Sequence, residues 1–296
     1  MEKTILVIDF VNMAFSSYFG KPLVNSYGVN VNAVKIFFIR LKNQLDIFNP
    51  DYLVFAEDVR RSDTFRRKLY PNYKAQRKPT DPDVFNQFGY IRDICQALGF
   101  AMIQLIPYEA DDICGMISRF GDEHEFETII ISSDRDLYQL VSDRTFICSP
   151  KADHQFVDRE YLLKEYDLLP SQWVDLKILQ GDNSDNIPGI RGIGPKTALN
   201  LIHRFGSVDN LYRNLDTVNP VLRERLKKGV GMLPLLRKLV TIVTDYTQIN
   251  LDEEKLKRGT IYGGEVMSII QNLELHSLEN VMWYSLIPYK KGGDLA

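Results

Sequence analysis

The chain has 296 residues, a net charge of −3, 45% apolar and 25% charged residues, which supports a large folded core and excludes wholesale disorder. No apolar run approaches the ~18 residues of a membrane span, and the quickly acidic N-terminus does not read as a signal peptide. Three cysteines, Cys95, Cys114 and Cys148, show neither a paired framework nor metal-ligand spacing, which points to a reducing cytoplasm.

Thr4–Phe10 is a continuous β-rich run, the pattern of a strand buried on both faces. Val34, Phe37, Phe38, Leu41, Leu45 and Phe48 then recur at helical spacing, with Pro50 as a stop. Further strands are expected over Tyr52–Ala56, Ala101–Ile106, Thr128–Ser132 and Thr145–Cys148, with helices over Pro82–Leu98 and Asp111–Phe120 between them. This alternation predicts an α/β fold, a mostly parallel twisted sheet flanked by helices on both faces. Past Asp158 the strand signals fade. Short helices are expected over Arg159–Tyr166, Ser171–Leu179, Lys196–Phe205, Val221–Lys228 and Leu233–Val243. The organisation read from this is an α/β domain over 1–179 and a helical domain over 180–296, with Lys290–Ala296 frayed.

Carboxylates fall where strands end. Asp9 closes the first strand, Glu57 and Asp58 the second; Glu109, Asp111 and Asp112 follow the third, and Asp134 and Asp136 the fourth. Asp182 and Asp185 add a fifth group. In an open α/β sheet, ligands bind in the crevice beyond the carboxyl ends of the strands. Any one of these acids could be a helix cap, but capping does not explain all of them together. Two like charges 4 Å apart repel by ~4 kcal/mol at an effective dielectric of 20, so the group calls for cations. Oxygen-only donors and four scattered histidines favour Mg²⁺ or Mn²⁺ over zinc. Two such ions form a device for in-line phosphoryl displacement. The competing α/β chemistries lack their motifs: there is no G-x-G-x-x-G turn, no phosphate loop ending in Lys-Ser/Thr and no G-x-S-x-G elbow.

Two further stretches suit a polyanion. Between Arg60 and Lys78 there are eight Lys and Arg against one acid, Asp63. Gly189, Gly192 and Gly194 precede Pro195-Lys-Thr-Ala198, a glycine-rich hairpin opening into a helix whose free N–H groups, with Lys196, suit a phosphate.

The motifs Tyr108-Glu-Ala-Asp-Asp-Ile113, Ser132-Ser-Asp-Arg-Asp-Leu-Tyr-Gln-Leu140, Gly181-Asp-Asn-Ser-Asp-Asn-Ile-Pro-Gly189 and Gly192-Ile-Gly-Pro-Lys-Thr-Ala198 occur in this order, with Phe65-Arg and Tyr73-Lys-Ala-Gln-Arg77 ahead of them. By these the chain resembles the 5′-nuclease family of 5′→3′ exonucleases and flap endonucleases, which includes the N-terminal domain of bacterial DNA polymerase I and stand-alone bacterial and phage enzymes. The resemblance implies two metal clusters, with Asp9, Asp58, Glu109 and Asp111 in the first, Asp112 and Asp134 close by, and Asp136, Asp182 and Asp185 towards the second. It also implies a basic helical arch near 60–85, through which a 5′ single strand passes. There Lys74 and Arg77 face the scissile phosphate, Tyr73 stacks on a base, and Arg66, Lys68 and Lys78 are further DNA contacts. Residues 187–205 become a helix–hairpin–helix that grips the backbone through Gly192, Gly194, Lys196 and Thr197 and holds a K⁺ on carbonyls.

Two departures stand out. The family's first motif is Asp-Gly followed a few residues later by a basic residue. Here it is Asp9-Phe10, with Ser16 and Ser17 in the basic region, so one phosphate contact is missing or supplied elsewhere. The second motif offers both Glu57 and Asp58, of which Asp58 is taken as the ligand.

The implied activity is hydrolysis of DNA phosphodiesters at 5′ flaps and ends, with Lys74, Arg77 and Asp134 in the chemistry. The expected protein is a cytoplasmic monomer whose partner is DNA with a 5′ single-stranded flap or end, with no membrane. An inactive junction-binding homologue and a metal-dependent RNA nuclease stay open as alternatives. Mg²⁺-dependent cleavage of flap DNA beside matched RNA separates the three.

Overall fold

In a computed structural model, residues 3–151, 155–249, 251–257 and 263–279 are described; the stretch expected to fray, Lys290–Ala296, lies outside them. Strand β1 (Thr4–Asp9) runs straight into helix α1 (Phe10–Tyr18), followed by α2 (Asn32–Phe48), β2 (Tyr52–Ala56), α3 (Phe65–Leu69), α4 (Pro82–Ala97) and β3 (Ala101–Ile103). The chain continues through α5 (Ala110–Glu123), β4 (Glu127–Ile131), a 3₁₀ segment Arg135–Leu140, β5 (Thr145–Cys148) and β6 (Phe156–Val157). Helices α6 (Arg159–Tyr166) and α7 (Pro170–Gln180) lead to a small hairpin, β7 (Gly181–Asp182) and β8 (Ile187–Pro188). Beyond it lie α8 (Pro195–Phe205), α9 (Val208–Arg213), α10 (Pro220–Gly229), α11 (Leu233–Val240), α12 (Glu253–Leu256) and α13 (Gly263–Asn272).

The sheet order is β3-β2-β1-β4-β5-β6, parallel except for β6. Because strand side chains alternate between faces, an apolar run without polar breaks must feed two cores. Ile5 and Val7 join one core with Val54, Ile130 and Ile147, while Leu6 and Ile8 join the other with Leu53, Phe55, Ile129 and Ile131. The first core is covered by α5 and runs on without a break through Trp173, Ile178, Leu201 and Leu236 of the helical region. The second lies under α1, α2 and α4, and Val266 and Ile270 of α13 close it. Helices near the C-terminus are thus part of the core.

The expected elements are found close to their expected bounds, and α1, α3, β6, the β7–β8 hairpin, α9, α12 and α13 are additions to them. The third strand stops at Ile103 rather than Ile106, whose side chain is exposed. Phe10, Met13, Ala14 and Ser17 bury one face of helix α1 at helical spacing. Asp9 caps it by accepting from the Asn12 N–H at 3.2 Å. The first acid therefore sits at once at a strand end and at a helix N-terminus.

The β7–β8 hairpin depends on two glycines packed backbone to backbone. A Cβ on Gly189 would lie 2.3 Å from the carbonyl carbon of Gln180 and 2.4 Å from the Gly181 nitrogen. Gly194, by contrast, has extended φ and open space around its α-carbon. Gly189→Ala should destabilise the protein by about 2–3 kcal/mol through overpacking against rigid backbone, whereas Gly194→Ala should stay within about 0.5 kcal/mol. Urea unfolding of the two variants checks the contrast.

Candidate active site

Four loops at the carboxyl edge of the sheet and the β7–β8 hairpin bring the acids together. Asp9, at the end of β1, is buried and accepts from Ser132 Oγ at 2.8 Å. Burial, then the neighbouring Asp58 and Asp134, push its carboxyl up to about 7. Asp58 accepts the Ala110 N–H at 2.9 Å and is raised, first by burial. Glu57 turns the other way, paired with Arg92 at 2.8 Å, so it is Asp58 that faces Asp9. Asp111, in the first turn of α5, has no hydrogen bond among the described residues; burial, then Asp134 and Asp9, hold its carboxyl well above the usual range. Asp134 opens the 3₁₀ segment and accepts the Asp136 N–H at 2.9 Å.

The cations sit among these acids. Lys74 Nζ lies 2.7 Å from Glu109 Oε1 and 3.6 Å from Asp185, and Arg77 Nη2 lies 2.7 Å from Asp185 Oδ1. Burial opposes a charge on Lys74, but Glu109, Tyr73 and Asp185 together hold its ammonium well above the ordinary value. The Lys74 backbone is left-handed, with φ 52°, a cost of ~1–2 kcal/mol for a residue other than glycine. Its N–H donates to Asp185 O at 2.8 Å, which ties the basic segment to the hairpin. Lys177 on α7 is a residue of the site that the sequence reading misses; its ammonium bridges Asp136 and Asp182. The available signal is its place four residues after Trp173, which puts a charge on the buried face of α7. Burial alone would raise Asp182, but Lys177 and Ser184 carry it down to about 2. Asp136 is raised to about 6, by burial and then by Asp134.

Several expected roles change with these positions. Asp112 is no candidate ligand. It is fully buried, receives Arg66 at 2.6 and 2.7 Å, and caps the Glu109 N–H at 3.0 Å and the Val243 N–H at 2.9 Å, so its lone pairs are used. Arg66 in turn is an internal strut rather than a DNA contact, since it also donates to the carbonyls of Leu239 and Thr241 at 2.9 and 3.0 Å. Tyr73 offers no face for stacking on a base: its ring is buried and its hydroxyl lies 2.9 Å from Glu109 and 3.1 Å from Asp185. Asp185 stands with Glu109 rather than with Asp182, because Asp182 Oδ1 takes the N–H groups of Ser184 and Asp185 and turns the chain. The basic segment near 60–85 does not rise as a helical arch. Only Phe65–Leu69 is α-helical before Pro82, and turns follow that lie down on the acids. Lys68 and Lys78 are exposed, with no ion pair among the described residues.

The donor set suits hard divalent cations, being all oxygen, buried or half-buried, and partly uncompensated at Asp9 and Asp111. Among the described residues, however, no three such side chains are already placed to clasp one ion. Lysine ammonium groups fill the gaps instead. Beside Asp134, Asp136 and Asp182 a groove of about 890 Å³ leads past Tyr166 and Trp173 to Lys196 at the start of α8. Gly192, at φ 84° with the Arg225 side chain packed against it, forms the turn ahead of that helix.

Two family models cover most of a chain with this geometry: the 5′-3′ exonuclease N-terminal resolvase-like domain matches residues 4–167, and the 5′-3′ exonuclease C-terminal SAM fold matches residues 168–262. The chain belongs to the 5′-3′ exonuclease family. It is 36% identical over 275 residues to the thermostable DNA polymerase I of Thermus thermophilus and 33% identical over 282 residues to DNA polymerase I of Bacillus subtilis. These matches take in 93% and 94% of this chain but only 32% of each relative, so the chain spans about a third of their length. Among solved structures, the phage T5 5′-exonuclease with bound zinc ions matches with a TM-score of 0.67 at 19% identity, over 92% of this chain and 99% of that one. A Rad2 catalytic core in complex with DNA substrate matches with a TM-score of 0.56 at 16% identity, over 97% and 93%. At these identities the likeness is one of fold.

Two outcomes test the site. With folded-state values raised to about 7 and 6, Asp9 and Asp136 contribute stability that is complete below pH ~4 and is lost as pH rises through 6 to 7. The metal-free protein should therefore lose thermal stability over that window. Mg²⁺ should restore it, with an affinity rising about tenfold from pH 6 to pH 8 as Asp9 gives up its proton. Calorimetric titration with Mg²⁺ at the two pH values measures this, and a flat affinity would contradict it. Lys177→Met should cost the metal-free protein about 3 kcal/mol by stranding two acids, a loss that shrinks when Mg²⁺ is present.

Proposed function

We propose that this chain, acting as a monomer, is a structure-specific 5′ nuclease that hydrolyses DNA phosphodiesters at 5′ flaps and ends, as a 5′→3′ exonuclease and flap endonuclease. The observation that carries the reading is the convergence of Asp9, Asp58, Glu109, Asp111 and Asp134 at one sheet edge, with Lys74 on Glu109 and Arg77 on the adjoining Asp185. Family membership supports it, as do the DNA and metal ions bound in the phage T5 flap endonuclease, whose fold this chain shares.

Asp9, Asp58, Glu109 and Asp111 would hold the first divalent ion; Asp134, Asp136 and Asp182 would hold the second, with Asp185 between the two groups. Mg²⁺ or Mn²⁺, when bound, supplies an activated water and neutralises charge on the phosphate. Lys74 and Arg77 then change partners. Released from Glu109 and Asp185, they lie where the charge of an attacked phosphate develops, as preorganised donors. Products with a 5′-phosphate and a 3′-hydroxyl follow. Lys196, Thr197 and the open approach at Gly194 contact the duplex backbone without reading bases, so selection is by DNA shape. A K⁺ at the hairpin would use the remaining lone pairs of the Ile190 and Gly192 carbonyls, which already accept from Ile193 N–H at 2.9 Å and Arg225 Nη1 at 2.8 Å.

The test is a 5′-labelled flap duplex incubated with Mg²⁺ and then with chelator, mapping the cut. Cleavage near the junction that requires the ion is expected; intact flap DNA with cleaved RNA of matched shape would replace this reading. Asp134→Asn should lower turnover by about 10²-fold or more while DNA affinity in Ca²⁺ changes less than about threefold. Unchanged turnover would remove Asp134 from the chemistry.

A further inference from the structure

Arg40 on α2 has a setting that the site described above does not use. It is half-buried, and no ion pair or carboxylate hydrogen bond involves it among the described residues. Burial alone draws its guanidinium below the ordinary value, with no acid acting on it. Nη1 spends its two hydrogens on Ser16 Oγ at 2.8 Å and Ser17 Oγ at 3.1 Å. Those hydroxyls donate onward to Met13 O at 2.9 and 2.8 Å, which fixes them as acceptors towards Arg40. The Nε and Nη2 hydrogens have no acceptor among the described residues. That edge is the side-on fork with which arginine grips two oxygens of a carboxylate or phosphate. A guanidinium withdrawn from water without a counter-charge is costly, and an anionic ligand offsets that cost.

Position supplies the ligand's identity. Ser16 lies on α1, the helix capped by Asp9, seven residues along it, or ~10 Å at 1.5 Å per residue. A backbone phosphate within a few nucleotides of the acids would fall at such a distance. We propose that Arg40, delivered from α2 and seated on Ser16 and Ser17, binds a backbone phosphate of the DNA a few nucleotides from the scissile bond. This rests on the nuclease reading and adds a binding residue to it.

Arg40→Gln tests it by equilibrium DNA binding in Ca²⁺ over a range of NaCl. Affinity should fall about tenfold and the slope of log affinity against log salt should shrink by about one, the change expected when one fewer phosphate is neutralised, with thermal stability unchanged. Ser16→Arg added to Arg40→Gln should return the slope to the wild-type value, a rescue that a packing role does not predict. Should Arg40→Gln fail to fold, Arg40→Lys keeps the charge without the fork; it should keep the slope and lose part of the affinity. Wild-type slope and affinity in folded Arg40→Gln, or in Arg40→Lys no loss of affinity at all, would overturn the proposal while leaving flap cleavage by the wild type intact. A wild-type protein that neither binds nor cuts flap DNA would overturn both.

Discussion

Mutual repulsion among carboxylates gathered at one edge of a parallel sheet governs how the rest of this molecule is arranged. The sheet can place Asp9, Asp58, Asp111 and Asp134 together because each follows a strand or opens a helix at the same edge. Helix N-termini and serine hydroxyls ease part of the charge: Asn12 N–H and Ser132 Oγ serve Asp9, and Ala110 N–H serves Asp58. Burial first, and then the charge they leave, keep Asp9 and Asp111 above the ordinary carboxylate range. A state in which these acids are ionised has to bring positive charge to this edge.

The chain meets that demand from two stretches. Lys74, Arg77 and, on α3, Arg66 come from the basic segment, and Lys177 from α7, with different consequences. Arg66 is locked into Asp112 and the carbonyls at the end of α11, so it joins the sheet domain to the helical one. Lys74 and Lys177 touch acids that ions would use, and a lysine's single ammonium on a flexible stem can leave where a forked, buried arginine cannot. The side chains that pair these acids are, on the proposed reading, the ones that ions and a phosphate would displace.

The helical region is joined to this chemistry through packing as much as through charge. One apolar core continues from β1 through α5 and Trp173 to α8 and α11, so the hairpin with Gly189 and the acids of β7 are held in register with the sheet edge. A groove between Asp134 and Lys196 then becomes a continuous path from carboxylates to an exposed helix N-terminus. On the proposed reading, duplex gripped at one end of this path would be positioned for cutting at the other.

Local pattern was enough for much of this. Continuous apolar runs predict strands buried on both faces, acids after such runs predict a charged sheet edge, and spaced glycines before Pro195 predict a tight turn into a helix, because each depends on residues near one another in the chain. Pairing between distant segments was beyond it. Eight cations in one stretch look alike in sequence, yet Arg66 is an internal strut, Lys74 lies on the acids and Lys68 faces solvent; burial, which only the folded chain defines, sorts them. The same holds for Asp112 beside Asp111, for Lys177 across from Asp136, and for Arg40 against Ser16. Secondary structure and the demand for cations were therefore decided by the sequence, through periodicity and charge. Which cation answers which acid was decided by tertiary structure alone, because ion-pair partners here lie from 5 to more than 100 residues apart in the chain and meet only when the two cores close.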